Sequence, residues 1–316
     1  MAIWVRAAMM TEDDRSPGFS YGPVSSFRWR TRAQHKGLSL GEALSDYLRV
    51  PRGEAAGLID FGSVYVRGRI ERNPSMILSG GEEISAAIPA YGIRRFYEID
   101  PARVILRDRF ILVYDKEAGI PSQQTPYDAY NNVFAALLRH LAGEQTTDSY
   151  AAIHNRLDRE TSGVLLFALE KRVNEPLGRA FQQRRVKKEY LAWVEGAPKN
   201  DSWTSDSEIG KIGGKYTAVS KGEGRKAETL FRVLLREAGR ALVLASPLTG
   251  RTHQIRIHLA EAGHPAAGDR AYGAKPDKRL YLHAWRLMLK HPVSGEHLCL
   301  EAPVPADWPA VCFEKT

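Results

Sequence analysis

"NRLDRETSG" at residues 155–163 runs directly into the apolar segment "VLLFA" at residues 164–168. An apolar run of this length predicts a buried strand, which would put Asp158 on the loop that leads into it. Catalytic groups concentrate on loops that a rigid sheet braces. Position alone nevertheless favours a simpler interpretation, in which a surface aspartate pairs with Arg156 or Arg159.

A second block of basic and polar residues, "TGRTHQIRIH", lies at residues 249–258. Its pattern predicts a helix over residues 253–262 that ends at Gly263. A carboxylate nucleophile must stay ionised in a partly dry pocket, and an arginine partner lowers its pKa and fixes its direction. One carboxylate with one nearby cation would therefore suit covalent chemistry on a sugar or a base.

Both stretches resemble signatures of the RluA family of RNA pseudouridine synthases, namely H/N-R-L-D-x-x-T-S-G and T-G-R-T-H-Q-I-R-x-H. Further family elements follow in the expected order, at Lys188-Glu189-Tyr190, Gly263-His264-Pro265, Gly268-Asp269, Tyr272-Gly273, Leu282-His283-Ala284 and His291-Pro292. The resemblance covers residues 100–303. It implies an α+β catalytic domain with a mixed central sheet, and an isomerase that converts specific uridines of structured RNA to pseudouridine.

The resemblance also implies roles for three residues. Asp158 would be the nucleophile: the glycosidic bond from N1 breaks, the base turns, and C5 rejoins the sugar; addition to the base and attack on the sugar carbon both stay open. Arg256 would pair with Asp158 and orient it with its planar fork, although an unplaced helix arginine is usually a surface residue. Tyr190 would lie against the target base, where its alternative is a strand aromatic packed in the core.

Four more residues are implied to bind the substrate. Arg156 would fill the space that an extruded uridine vacates, or else contact a phosphate. Leu282 matches a leucine that lines the same pocket. Arg251 and His253 lie near the start of the predicted helix, where side chains and amides can hold phosphate.

Three departures from the family pattern bear on the substrate subgroup and leave the predicted activity standing. Asn155 stands where many members have histidine. Glu117 replaces a usual proline, and Ser122-Gln123-Gln124-Thr125 differs from the common Val-His-Pro run. Thr161, Ser162 and Gly163 are expected to shape the loop rather than react.

The N-terminal part has a different texture. Apolar residues recur at helical spacing over 38–48, with Ser39 as a candidate N-cap; a helix over 53–59, a strand over 64–66, and a turn and strand over 80–84 follow. This order resembles the S4 RNA-binding fold, with a generic small α+β unit as the alternative. We expect a basic extension at 1–37, an S4-like domain at 38–92 and the catalytic domain at 93–316, with a linker near 91–101.

Composition favours a polyanionic partner, because 45 Lys and Arg against 37 Asp and Glu give a net charge of +8 and a pI of about 9.4. Two cysteines without C-x-x-C spacing, and histidines without a ligand pattern, predict no metal site. We expect no cofactor, no membrane span, a cytoplasmic location and a monomer.

Two rival functions belong to other classes. A noncatalytic RNA-binding or ribosome-assembly protein could use the same scaffold, but the presence of Asp158, Tyr190 and Arg256 together argues against it. A nucleoside or glycoside hydrolase normally pairs two carboxylates, whereas the second block supplies arginine and histidine. Ribosomal RNA is favoured over tRNA as the substrate because of the S4-like domain.

Overall fold

The computed structural model describes residues 23–89, 92–144, 150–237 and 239–309. Within them the chain divides into two units, one formed by residues 23–98 with 123–136 and the other by 99–122 with 137–309. Both units contain helices and sheet, so the predicted α+β class is confirmed. In the part that the structure describes, no helix is long and apolar enough to cross a membrane.

The N-terminal unit is a four-stranded sheet with two helices. Its elements are β1 (Pro23–Arg30), α1 (Leu40–Leu48), α2 (Arg52–Asp60), β2 (Val64–Val66), β3 (Arg69–Ile70) and β4 (Glu83–Pro89), and the sheet order is β1-β4-β2-β3. Ser39 caps α1: its Oγ accepts from the Glu42 amide at 3.2 Å, while the Glu42 carboxylate accepts from the Ser39 amide at 3.0 Å. This reciprocal pair satisfies two donors that a helix start leaves open.

The structure differs from the expected extension over its second part. Residues 23–30 form β1, which pairs antiparallel with β4 and places Trp29 opposite Ile84. Phe27 and Trp29 are half-buried while the side chains between them are exposed, which is the alternation of an edge strand. The alternation is too short to stand out beside the breakers that precede it. Residues 1–22 lie outside the described part of the chain.

Residues 123–136, which the sequence assigned to the catalytic domain, pack with the N-terminal unit. The hydroxyl of Tyr130 donates to Asp60 at 2.7 Å, and the hydroxyl of Ser63 donates to the Tyr127 carbonyl at 2.8 Å. These bonds join groups 64 or more positions apart in the chain, so a boundary drawn along the sequence cannot show them.

The second unit is built on a ten-stranded mixed sheet of order β10-β14-β15-β9-β16-β8-β6-β5, with β17 paired to β16 and β7 to β8. From residue 104 onward the elements are β5 (Val104–Arg107), β6 (Ile111–Lys116), α3 (Val133–Gly143), β7 (Ala152–Ile153), β8 (Ser162–Ala168), α4 (Asn174–Gln182), β9 (Lys187–Glu195), β10 (Ser202–Ser205), β11 (Glu208–Ile212), β12 (Lys215–Val219), β13 (Arg225–Lys226), β14 (Thr229–Glu237), β15 (Arg240–Pro247), α5 (Gln254–Glu261), β16 (Leu282–Lys290) and β17 (His297–Glu301). Strands β11, β12 and β13 form a separate small sheet.

Strands β8 and β16 meet in the middle of the large sheet, in the parallel pairing that makes it mixed. Gly163 pairs with Ala284 there and has φ of +114°. A Cβ built on Gly163 would lie 2.2 Å from the carbonyl oxygen of Ala284. Only glycine fits this approach, and it fixes where the loop before β8 enters the sheet.

We expect Gly163→Ala to lower the free energy of unfolding by about 2–4 kcal/mol, from overpacking and backbone strain together. The control is Gly213→Ala, which also has positive φ but nothing within 4 Å of the added Cβ. Urea denaturation of both variants measures the difference. Equal losses would show that the close approach to Ala284 does not matter.

Candidate active site

The loop that carries Asp158 is held by two side chains that form hydrogen bonds with backbone groups. The hydroxyl of Ser122 donates to the Leu157 carbonyl at 2.7 Å and accepts from the Leu157 amide at 3.1 Å. The side chain of Asn155 brackets β8, donating to the Val164 carbonyl at 2.9 Å and accepting from the Leu166 amide at 2.8 Å. Two departures from the family pattern, Asn155 and Ser122, are thus structural braces for this loop.

Lys116 is a third brace, and sequence analysis assigned it no role. Its ammonium group is completely buried and donates to the carbonyls of Glu117, Ile120 and Arg159 at 2.7, 2.8 and 3.0 Å. Burial lowers the pKa of Lys116 to about 7, against the opposing effect of nearby carboxylates that include Asp158. Its hydrogen bonds therefore tie the residue after Asp158 to the turn that follows β6.

Arg256 contacts Asp158, as the sequence predicted, but its fork is used differently. Nη1 donates to Oδ2 of Asp158 at 3.2 Å, whereas Nε and Nη2 hold both oxygens of Asp269 at 2.6 and 2.8 Å. Burial acts to lower the pKa of Arg256, but the bonds and charges of Asp269 and Asp158 raise it above its usual value. Arg256 therefore bridges two carboxylates, and its bidentate partner is Asp269.

Asp269 is the main site residue that sequence reasoning missed. Its side chain has no exposed surface, and its Oδ1 also accepts from the Ala271 amide at 3.2 Å. Gly268 before it has φ of +76°, and a Cβ there would lie 1.9 Å from the Arg279 carbonyl oxygen. The signal was present in the Gly268-Asp269 element, where glycine permits the approach and aspartate anchors the arginine.

His253 faces the same carboxylate from the start of α5. Its Nε2 lies 3.7 Å from Oδ2 of Asp158, and its backbone is left-handed, with φ of +57°. Tyr272 donates to the Tyr216 carbonyl at 3.0 Å, so the 2.8 Å contact between its oxygen and His253 requires a proton on Nδ1. Burial lowers the pKa of His253, and the neutral ring then turns the Nε2 lone pair toward Asp158.

Tyr190 lies on β9, paired with Ala245 on one side and Ala284 on the other. Burial and the charge of Asp158 both raise the pKa of the Tyr190 hydroxyl. The phenol is therefore near enough to the carboxylate for its charge to act on it. Leu282 is buried in the apolar cluster on which Tyr190 packs.

The two arginines that were predicted to bind the substrate, Arg156 and Arg251, lie at the edge of this arrangement. Arg156 is exposed, two residues before Asp158. Arg251 is half-buried in the turn before α5, and its Nε donates to the Lys226 carbonyl at 3.0 Å. The structure therefore brings Asp158, Arg256 and His253 into direct proximity, and it gives neither Arg156 nor Arg251 a hydrogen bond to Asp158 among the described residues.

Ser162 and His283, which belong to two of the family elements, form a buried hydrogen-bonded pair. Its role is structural rather than chemical. Ser162 Oγ accepts from Arg279 at 2.7 Å, which leaves its proton for Nδ1 of His283 at 2.9 Å. Burial lowers the pKa of His283 to about 4, so this ring is a neutral acceptor.

Within the described residues, no group of three or more histidine, cysteine, aspartate or glutamate side chains is placed to hold a metal ion.

Comparisons with known proteins identify the family. A sequence profile of the RNA pseudouridylate synthase family matches residues 110–261. The chain is 37% identical over 226 residues to ribosomal large subunit pseudouridine synthase D of Nitrosomonas europaea, an alignment that covers 68% of this chain and 65% of the relative. It is 32% identical over 294 residues to ribosomal large subunit pseudouridine synthase C of Salmonella typhimurium, covering 84% of this chain and 90% of the relative.

Two solved structures share the fold. Human RNA Pseudouridylate Synthase Domain Containing 4 superposes with a TM-score of 0.55 at 24% identity, over 65% of this chain and 89% of that chain. Human RNA Pseudouridylate Synthase Domain Containing 1 gives a TM-score of 0.53 at 27% identity, over 66% and 86%. Together with the motifs, the sequence relatives show that the chain belongs to the RluA family of RNA pseudouridine synthases, isomerases that convert uridine in RNA to pseudouridine.

Proposed function

We propose that this chain isomerises uridines of ribosomal RNA, with Asp158 as the nucleophile. The observation that carries the proposal is the asymmetry of the Asp158 carboxylate. Nη1 of Arg256 donates to Oδ2, while among the described residues Oδ1 accepts no hydrogen bond. The side chain is 27% exposed, so one oxygen is oriented by the protein and the other is open to a substrate.

The surrounding groups suit this chemistry. Oδ1 forms a bond to the uridine, the N1 glycosidic bond breaks and the base turns. C5 then bonds to the sugar carbon, the bond to Oδ1 breaks to return the carboxylate, C5 gives up its proton to water, and N1 gains a proton from water. Arg256 holds the carboxylate in place, and the ring of Tyr190 provides a surface on which any base can stack. Because its pKa is raised, Tyr190 enters the reaction with its hydroxyl protonated.

The substrate class follows from the relatives. Synthases C and D are named for the large ribosomal subunit, which supports ribosomal RNA over tRNA. The N-terminal unit, with its S4-like order of elements, would add RNA contacts through the basic residues of β1 and the turn after it. We further propose a cytoplasmic monomer, and sedimentation of the purified chain tests the monomeric state directly.

The activity is tested with a large-subunit ribosomal RNA transcript labelled with tritium at C5 of uridine. Forming pseudouridine replaces the C5–H bond by a C5–C bond, so the enzyme should release tritium to water in proportion to product. Mapping the modified position in the same RNA identifies the target uridine. RNA that binds without any tritium release would favour the rival noncatalytic RNA-binding protein.

A further inference from the structure

A group of cations near the site is not used by the proposed chemistry. Arg251 in the turn before α5 is joined to β13 by its bond to the Lys226 carbonyl, and Arg225 precedes Lys226 on that strand. Lys188 of β9 reaches the same turn, donating to the Thr249 carbonyl at 3.0 Å. Three separate segments thus bring positive side chains together beside one turn.

The group lacks the carboxylates that accompany most of the arginines in the described part of the chain. Arg103, Arg240 and Arg286, for example, each have an acidic partner within 3.0 Å. Arg184, just after α4, joins the group because its charge acts on Arg251. Among the described residues, no carboxylate lies within 4.0 Å of the group's cations, which are Arg184, Lys188, Arg225, Lys226 and Arg251. Burial first, then the charges of Arg225 and Arg184, lower the pKa of Arg251, so the like charges act on one another.

Unpaired like charges at close range cost folding free energy, and a bound anion removes that cost. The Nε of Arg251 is occupied by the Lys226 carbonyl, so its two terminal nitrogens stay available. Arg184 and Arg225 are exposed, so a chain-like polyanion can reach them from solvent. Guanidinium groups match phosphate oxygens with two donors each.

We infer that Arg184, Arg225 and Arg251 form a site for one backbone phosphate of the RNA substrate. Arg251 precedes His253 by two residues, a stretch of chain that spans at most ~7 Å, and His253 lies 3.7 Å from Asp158. The phosphate therefore belongs to the same segment of RNA as the uridine that faces Asp158. This inference rests on the proposed function for the identity of the anion.

The test is the salt dependence of binding to the large-subunit ribosomal RNA transcript. We measure log Kobs between about 50 and 200 mM KCl, where one neutralised phosphate contributes a slope of about −0.9 in duplex and −0.7 in single-stranded regions. Arg225→Gln should make the slope shallower by about one such increment. Because one phosphate is shared, the double variant Arg184→Gln/Arg225→Gln should have a slope no shallower than that of Arg225→Gln. Arg225→Lys should keep the wild-type slope.

The matched control is Arg232→Gln, which removes an equally exposed arginine of β14 and should leave the slope unchanged. Thermal melting checks that each variant is folded. Wild-type slopes in Arg225→Gln and in the double variant would overturn the site, and a double variant that loses two increments would overturn the shared phosphate. Tritium release by the wild-type protein is scored separately, so the phosphate site can stand or fall independently of the activity.

Discussion

Asp158→Asn is expected to abolish pseudouridine formation while leaving RNA affinity close to that of the wild-type protein. The amide keeps the shape of the side chain, and its oxygen can still accept from Nη1 of Arg256, which now lies 3.2 Å from Oδ2. The change removes the anionic oxygen that would attack. We expect single-turnover tritium release to fall by more than about a hundredfold, equivalent to ~2.7 kcal/mol of lost barrier stabilisation.

Glu160→Gln provides the control for Asp158→Asn. Glu160 is in the same loop, and its carboxylate pairs with Arg159 at 2.7 Å with 44% of its side chain exposed. Losing this charge should leave the rate near that of the wild type, since a surface ion pair contributes little. Turnover above about one hundredth of wild type in Asp158→Asn would reject Asp158 as the nucleophile.

The second large effect is expected for Arg256→Lys, which keeps the charge and removes the fork. One guanidinium now bonds to both Asp158 and Asp269 through three nitrogens. A lysine ammonium is a single point on a flexible stem and cannot reproduce that geometry. We expect the single-turnover rate to fall by about 10–100-fold, which corresponds to ~1.4–2.7 kcal/mol of lost barrier stabilisation. RNA affinity should fall by a smaller factor than the rate.

Two comparisons separate orientation from charge in this result. Arg286→Lys makes the same exchange at a surface pair with Glu301 and should leave the rate unchanged. Adding Asp158→Ala to Arg256→Lys should cost almost nothing beyond Asp158→Ala alone, because residues that act as a unit are not additive. A wild-type rate in Arg256→Lys would show that only the charge matters at this position.

The sequence predicted those parts of the site that short motifs encode. The run before β8 identified Asp158, the helix of the second block placed Arg256, and the structure brings the two within 3.2 Å although they are 98 residues apart. The apolar strand at residues 164–168 was also predicted, because a buried strand leaves a continuous apolar run. Its start shifted by two residues, since β8 begins at Ser162.

The missed features depend on partners that the sequence does not show. Lys116 acts on Arg159, 43 positions away, and a lysine next to a glutamate looks like an ordinary solvated pair. Asp269 matters because Arg256 donates two hydrogen bonds to it and only one to Asp158. Packing in the folded protein decides which carboxylate receives the bidentate contact. Strands β11 to β13 are two to five residues long and carry no sustained alternation.

The bridge that Arg256 makes has a consequence for how a nucleotide can enter. One positive charge stands between two carboxylates, so the three side chains together carry a charge of −1. A phosphate that approached this triad would be repelled, whereas an uncharged uracil would not. A few residues away, the unpaired arginines around Arg251 have the opposite sign. We therefore expect the proposed site to sort the two halves of a nucleotide by charge, with the base directed inward and the backbone at the rim.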